Sequence, residues 1–479
     1  MKKIYLILLV LIGMSISCTK NFEDFNTDKK HATAVPGGYL FANAQKALSD
    51  QTGTTNVNLN IFKIVAQYLT ETTYQDEANY DIVNRPIPAN MWRAYYRDAL
   101  NDLQDARRSI KAETAVGEEQ LAVQQNRLNI IDMVEVYIYQ TLVDCFGNVP
   151  YSEAVDITKI NPKYDDAFTI YKDLITRIDA DITGLNPTYG SFGGDDLYFA
   201  GDVTMWVKFG NTMKVRMAIA IADADDAMAK TDIEAAYAGV LAPGEVCQIS
   251  YPGGAMANPI YLDVVATGRH DWVIANTIID IMNPLADPRM PFYFTQTADG
   301  VYLGGPYGEP NPYSQYSHIS AQVLAETAPL TMLDYTEVAF YLAEAAARGY
   351  NVGGTAESYY NSAIKNSILQ WGGTQADVDA YLAKPEVAYA TATGTYKQKI
   401  GTQAYIAFYM RGQEAWNEWR RLDFPVLNLP PTPQTDNGQV PVRFTYPVNE
   451  QTLNKTSYYD ASTAIGGDLM STKLFWDKN

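Results

Sequence analysis

Apolar side chains recur at three- and four-residue steps along most of the chain, and the recurrences come in pairs separated by Gly- and Pro-rich breaks. Between about residues 89 and 147 one stripe carries Trp92, Tyr95, Tyr96, Ala99, Leu103, Ala106 and Ile110. A second carries Leu128, Ile131, Val134, Ile138, Leu142 and Cys145. The two predict helices packed antiparallel across a turn near Gly117. A further pair spans about 165–228: Phe168, Ile170, Leu174, Ile178 and Ile182 line the first helix, and Trp206, Phe209, Met213, Met217 and Ile221 line the second, from Asp202 to Met228. Asn186, Pro187 and Gly190 separate them. The pattern returns at about 334–372, in helices Tyr335 to Gly349 and Ala356 to Trp371, and again at about 398–422. Helix pairs that bury one face against their neighbours predict a mainly α fold. The expected form is an irregular tetratricopeptide-like α/α superhelix with long irregular loop insertions and little β, since no strict period of roughly 34 residues is visible.

Two stretches break the periodicity. Residues 248–329 are rich in Gly, Pro, Asn and Tyr, with helical spacing only around Trp272 to Met282. The tail 425–479 carries Pro430, Pro431, Pro433, Pro441 and Pro447, which bar long helices. No Ser/Gly-rich or Pro-rich linker divides the chain, so residues 31–479 read as a single domain despite their length. Ahead of them, Lys2 and Lys3 precede an apolar run from Ile4 to Ile12 that closes on small residues and Cys18. That order reads as a lipoprotein signal peptide, 1–17, followed by an acylated Cys18 on a flexible tether, 18–30. The run is about half the ~20 residues that a membrane-crossing helix needs, so the expectation is a lipid anchor and not a span.

Charge narrows the partners. The formal net charge of −19 becomes −21 when Lys2 and Lys3 leave with the signal peptide. An acidic surface repels phosphate backbones, which excludes nucleic acid as an expected partner. Cys145 and Cys247 stand in no metal or redox spacing and are expected as two buried thiols, although one disulfide is conceivable. His31, His270 and His318 are far apart, without any paired-ligand pattern. No nucleophile elbow, P-loop or dinucleotide fingerprint is present, and the acid doublets Asp165-Asp166, Asp195-Asp196 and Asp225-Asp226 point about 100° apart if helical. They read as solvated charge or helix N-caps. No enzyme, metal or cofactor is expected.

The 35 tyrosines and 7 tryptophans point instead to recognition, because these rings pair an apolar face with a polar edge. In the irregular middle, Trp272, Tyr302, Tyr307, Tyr313 and Tyr316 are candidate stacking platforms for sugar rings, with Asn311, Gln315 and Arg269 as hydrogen-bond partners. A second candidate surface is the loop Thr70 to Pro88, with Tyr74, Asp76, Asn79, Tyr80 and Arg85. The alternative for each aromatic is that it covers the scaffold or meets a protein partner.

Ordered segments across nearly the whole chain resemble a known family. They are Asn21 to Asp28, Asp144-Cys145-Phe146-Gly147-Asn148-Val149-Pro150, Pro162-Lys163-Tyr164-Asp165, Trp206 to Arg216, Asp287-Pro288-Arg289-Met290, Glu337 to Gly349, Glu414 to Arg421, and Pro441 to Pro447 with Glu450 and Asn454. The chain is similar to SusD/RagB-type outer-membrane nutrient-binding lipoproteins, on the SusD-like branch. The resemblance implies a surface lipoprotein, tethered to the outer membrane through Cys18, that caps a SusC-type TonB-dependent transporter. It would present oligosaccharides or, as in RagB-like members, oligopeptides to that channel. The motifs themselves look structural: Arg420 and Arg421 are expected to hold the tail in place, so the resemblance implies a role without naming a site.

Overall fold

The computed structural model describes residues 35–478. The signal segment, Cys18, the tether and His31 lie outside the described residues. The architecture is predominantly helical, with three two-stranded sheets among the described residues. A rod built from Ile87–Arg93, a π-helical stretch Ala94–Leu100 and Asn101–Ala112 packs against Gly117–Phe146. That helix packs on Ala167–Gly184, which packs on Val203–Ala220. The series continues with Tyr335–Ala347, Ala356–Gln370, Tyr396–Ala407 and Gly412–Leu422. None of these helices is long and apolar enough to cross a membrane.

Side-chain caps mark where several of the helices begin. Asp166 accepts from Thr169 N–H, Asp202 from Thr204 and Met205 N–H, Asp225 from Met228 N–H and Asp334 from Glu337 N–H. Thr355 with Ser358 and Thr374 with Asp377 form reciprocal capping boxes. The expected helix Asp202 to Met228 is therefore two: Val203–Ala220 ends in a turn, and Asp225 starts Asp226–Ala236. The expected helix over 398–422 also breaks, at Met410, whose φ is +66°. There Arg411 turns inward to Asp334, at 3.1 Å, and to Glu337. Gly412 sits against the Phe62 backbone so closely that a Cβ would lie 2.4 Å from the Phe62 carbonyl carbon, which only glycine tolerates.

The Gly37–Gly53 helix is hidden in the sequence because its buried face mixes Phe41, Ala44 and Leu48 with Gln45 and Ser49. Gln45 Nε2 donates to the buried Asp196, which also accepts from the Trp206 indole N–H at 2.7 Å. Asp196 is thus an anchor and not solvated charge. Cys145 and Cys247 are buried and not joined to each other, and burial pushes both thiols well up from their usual range.

The tail 425–479 is not wholly irregular, for Lys455–Ala464 is helical. It is clasped to the Phe146–Pro150 motif: Phe444 N–H donates to Cys145 O, Arg443 Nη2 to Phe146 O and Tyr446 Oη to Asn148 O. Arg420 holds it as expected, donating to Val442 O at 2.9 Å over the Trp416 ring. Arg421 instead pairs with Glu344 at 2.6 Å and Glu418 at 2.7 Å. Short strands stitch the loops to the helices: β1 (Leu69–Glu71), β2 (Val149–Pro150), β3 (Tyr164–Asp165), β4 (Val246–Ile249), β5 (Trp272–Ile274) and β6 (Leu330–Asp334). β2 pairs with β3, β4 with β6, and β1 with β5, all antiparallel.

Candidate binding site

The β1–β5 pair joins two surfaces that look unrelated in the sequence. Leu69 faces Ile274, Thr70 faces Val273 and Glu71 faces Trp272. Thr72 extends the pairing, its N–H donating to Asp271 O at 2.9 Å and its hydroxyl to His270 O at 2.7 Å. The Thr70–Pro88 loop and the middle segment are consequently one face. Trp272 belongs to a strand, and the helix expected to begin there begins at Asn276.

The base of this face is rigid. Asn311 is fully buried, and its Nδ2 donates to Glu71 O, Pro306 O and Glu309 O. Asn79 donates to Gly308 O and accepts from Thr432 N–H and Oγ1. Gly308, at φ +76°, lies so near Pro430 that a Cβ would come within 2.4 Å of it. Beneath β1, Glu71 and Glu77 are both buried, Glu71 accepts from Ala78 N–H, and Arg85 pairs with Glu77. Burial, reinforced by the Glu77 carboxyl beside it, pushes Glu71 up to about 9, so at neutral pH Glu71 holds its proton.

This base uses up several predicted platforms. Tyr80 and Tyr307 are 0% and 4% exposed; Gln67 Nε2 donates to the Tyr80 hydroxyl, and Tyr307 Oη donates to Ile64 O. Neither ring has a face to offer a ligand. Trp272 is buried, at 8% exposed. Tyr313 is sandwiched: His270 stacks on one side at 4.1 Å between centroids and His318 on the other at 3.7 Å. Its faces are covered, and His318 Nε2 is bonded to Tyr313 O at 2.7 Å. Tyr302 and Tyr316 are half-buried. Tyr74 is different. It is 63% exposed at the rim of a cleft that Thr73, Arg85, Arg269, Asp271 and Trp272 also line.

Beside the cleft opens a wider recess of about 340 Å³ lined by Asp76, Asn79, Asp81, Glu309, Thr432 and Gln434. The Pro430–Gln434 contribution was not expected. Its prolines mark an extended segment, but nothing in them tells where that segment lies. The face therefore offers an exposed aromatic ring, carboxamides, hydroxyls and charged groups of both signs, the equipment of recognition. Among the described residues no group of three or more His, Cys, Asp or Glu side chains converges as a metal site.

The family described as SusD-like_2, starch-binding associating with outer membrane, matches residues 28–447. No curated protein matches the chain. Among solved structures, a chitin-binding protein is 26% identical with a TM-score of 0.80, covering 92% of this chain and 100% of its own. A chitin-binding SusD homologue from Flavobacterium johnsoniae is 23% identical with a TM-score of 0.77, covering 92% of this chain and 98% of its own. A SusD homologue from Bacteroides uniformis is 24% identical, also at 0.77, covering 92% of this chain and 100% of its own.

Proposed function

Because the chain belongs to the SusD-like family, we propose that it is a non-catalytic, glycan-binding nutrient receptor of the outer membrane whose ligand meets the face built on β1 and β5. The observation that carries this reading is Tyr74, an exposed ring at the rim of a polar cleft whose floor is locked by buried hydrogen bonds. A pyranose can stack its C–H face on such a ring while neighbouring polar groups satisfy its hydroxyls. The relatives' chitin binding supports an oligosaccharide as the ligand class. Acyl chains on Cys18 would hold the protein beside a SusC-type TonB-dependent transporter, which it would cover as a hinged lid. Ligand shared between lid and channel can bind the isolated lid weakly without loss of the role.

A second reading is an oligopeptide receptor of the RagB type. The recess with Asp76, Asp81 and Glu309 favours it, since clustered carboxylates suit basic peptides. Binding of residues 19–479 to glycan and peptide arrays at low and moderate salt separates the two. A glycan hit that salt does not weaken supports the proposal, and a salt-sensitive basic-peptide hit moves the assignment to peptide uptake. Co-purification with a channel protein tests the partnership, and loss of membrane fractionation in Cys18→Ala tests the anchor.

A further inference from the structure

A second cavity of about 240 Å³ shares no lining residue with either the Tyr74 cleft or its neighbouring recess. It lies where the middle segment meets the helices. Gln248 on β4, Gln322, Pro329 and Thr331 come from one side, Gln370 and Trp371 from the other. Gln322, Pro329 and Gln370 are exposed at its mouth, while Asp334, Thr336, Ser367 and Tyr409 are buried deeper in.

Three properties define what fits. First, the charges are already matched: Arg411, which lines the cavity, pairs with Asp334 at 3.1 Å and with Glu337. Neither a free cation nor a free anion is presented, so a neutral occupant is favoured over an ion. Second, polar groups are available. The side chains of Gln248, Gln322, Gln370 and Thr331 line the space and make no hydrogen bond to any described residue. Each carboxamide both donates and accepts, which matches hydroxyl groups, themselves donors and acceptors. Third, apolar surface alternates with these amides: Ile260, Val323 and Leu330 on one wall, and half-buried Trp371, which meets Tyr293 edge-on at 4.5 Å, on the other. A wholly aromatic ligand would leave the amides unsatisfied, and a linear polyol would leave the apolar wall wet. The volume falls below the ~300–1,000 Å³ of drug-sized sites, which suits one ring.

We propose that this cavity is a binding site for a single neutral sugar ring, distinct from the cleft that receives the transported ligand. Because its walls come from both the middle segment and the helical scaffold, an occupant ties the two together. It thereby stabilises the platform on which the ligand-binding face is built.

Calorimetric titration and thermal melting of residues 19–479 with glucose and with N-acetylglucosamine, as free monosaccharides, test the site. At least one is expected to bind in the millimolar range and raise the melting temperature. The double substitution Gln248→Ala/Gln370→Ala removes side chains with no internal partner, so the sugar-free melting temperature should hold while affinity falls roughly fivefold or more, the equivalent of about one hydrogen bond. Thr331→Trp, which fills the space, should abolish binding, and Tyr74→Ala should leave it intact. Failure of both sugars to bind the wild-type protein overturns the proposal. So does binding that survives the double substitution. Loss of polymer capture in Tyr74→Ala, read separately, reports on the cleft alone.

Discussion

The helical seam and the β1–β5 face are held by different balances of charged and neutral contacts. In the seam, buried ions from distant helices meet: Arg216 lies 3.4 Å from Glu337 and 3.8 Å from Glu414, Arg411 joins Glu337, and Arg421 bridges Glu344 and Glu418. On the face, neutral asparagines bracket backbone carbonyls, and the aromatic rings either sink into the base, as Tyr80 and Tyr307 do, or stand out in solvent, as Tyr74 does. Three of the segments that carry the family resemblance, Trp206 to Arg216, Glu337 to Gly349 and Glu414 to Arg421, meet in the seam. What announces the family is therefore the machinery of the scaffold, and the recognition surface has no motif of its own.

The sharpest way to break this contrast is to remove one ion from the seam. Glu337 is fully buried, and Glu337→Ala strands Arg216 and Arg411 without their shared partner. Arg411 keeps Asp334 and Arg216 keeps the more distant Glu414, so stability measured by urea unfolding should fall by about 3 kcal/mol, the low end of the usual cost of breaking a buried pair. A loss below about 1 kcal/mol would mean that the seam is no more demanding than an exposed surface pair.

Next in size is the carboxyl pair under β1. Glu71 is pushed up to about 9 by burial and by Glu77 beside it. The folded state thus keeps a proton that the unfolded chain releases near pH 4.5, and its contribution to stability declines as pH rises from there toward 9. Glu71→Gln reproduces the protonated shape at every pH. Relative to wild type it should gain nothing at pH 4 and an increasing amount above it, by up to about 1.4 kcal/mol per pH unit as far as pH 8. Unfolding free energies across that range give the difference profile, and a flat profile would place the charge on Glu71 in the folded state.

These two regions were unequally legible. The stripes from Trp92 to Ile110 and from Leu128 to Cys145 predict their helices because burial on one side of a helix leaves a local period. The breaks at Asp225 and Met410 leave no mark in the apolar spacing, which runs on through them. The first is set by a cap and the second by burial of Arg411 against another helix. Trp272-Val273-Ile274 reads as the start of a helix since three apolar residues followed by Thr277, Ile278 and Ile279 suit either period. Only pairing with β1, far away in the chain, makes it a strand. Burial of Tyr80 and Tyr307, and the sandwich that closes both faces of Tyr313, are likewise tertiary outcomes without a local signature. Tyr74 lies in the candidate loop, but its composition could not rank it above Tyr80.

Tyr74→Ala tests that ranking on the other side of the comparison. An exposed ring without structural partners should cost less than about 0.5 kcal/mol of stability. Capture of the oligosaccharide identified on the array should weaken by roughly three- to tenfold, the worth of one stacking contact. Unchanged capture would move the ligand off this rim.

The smallest effect is the most discriminating for ligand class. Arg85 pairs with Glu77, and Arg269 with Asp271 at 2.5 Å, so the cleft rim presents cations already matched by carboxylates. A neutral oligosaccharide stacked on Tyr74 feels no net Coulomb force there. Its affinity should change by less than about twofold when ionic strength rises from ~0.01 to ~0.15 M, although the Debye length shrinks from ~30 to ~8 Å. A basic peptide drawn to Asp76, Asp81 and Glu309 would lose several-fold over the same interval, because exposed carboxylates act through solvent. Measuring the same titration on Tyr74→Ala separates the contributions further. If stacking carries recognition, the residual binding stays salt-insensitive; if the acidic recess carries it, the mutant keeps both its affinity and its salt slope, and the face is an electrostatic surface for peptides.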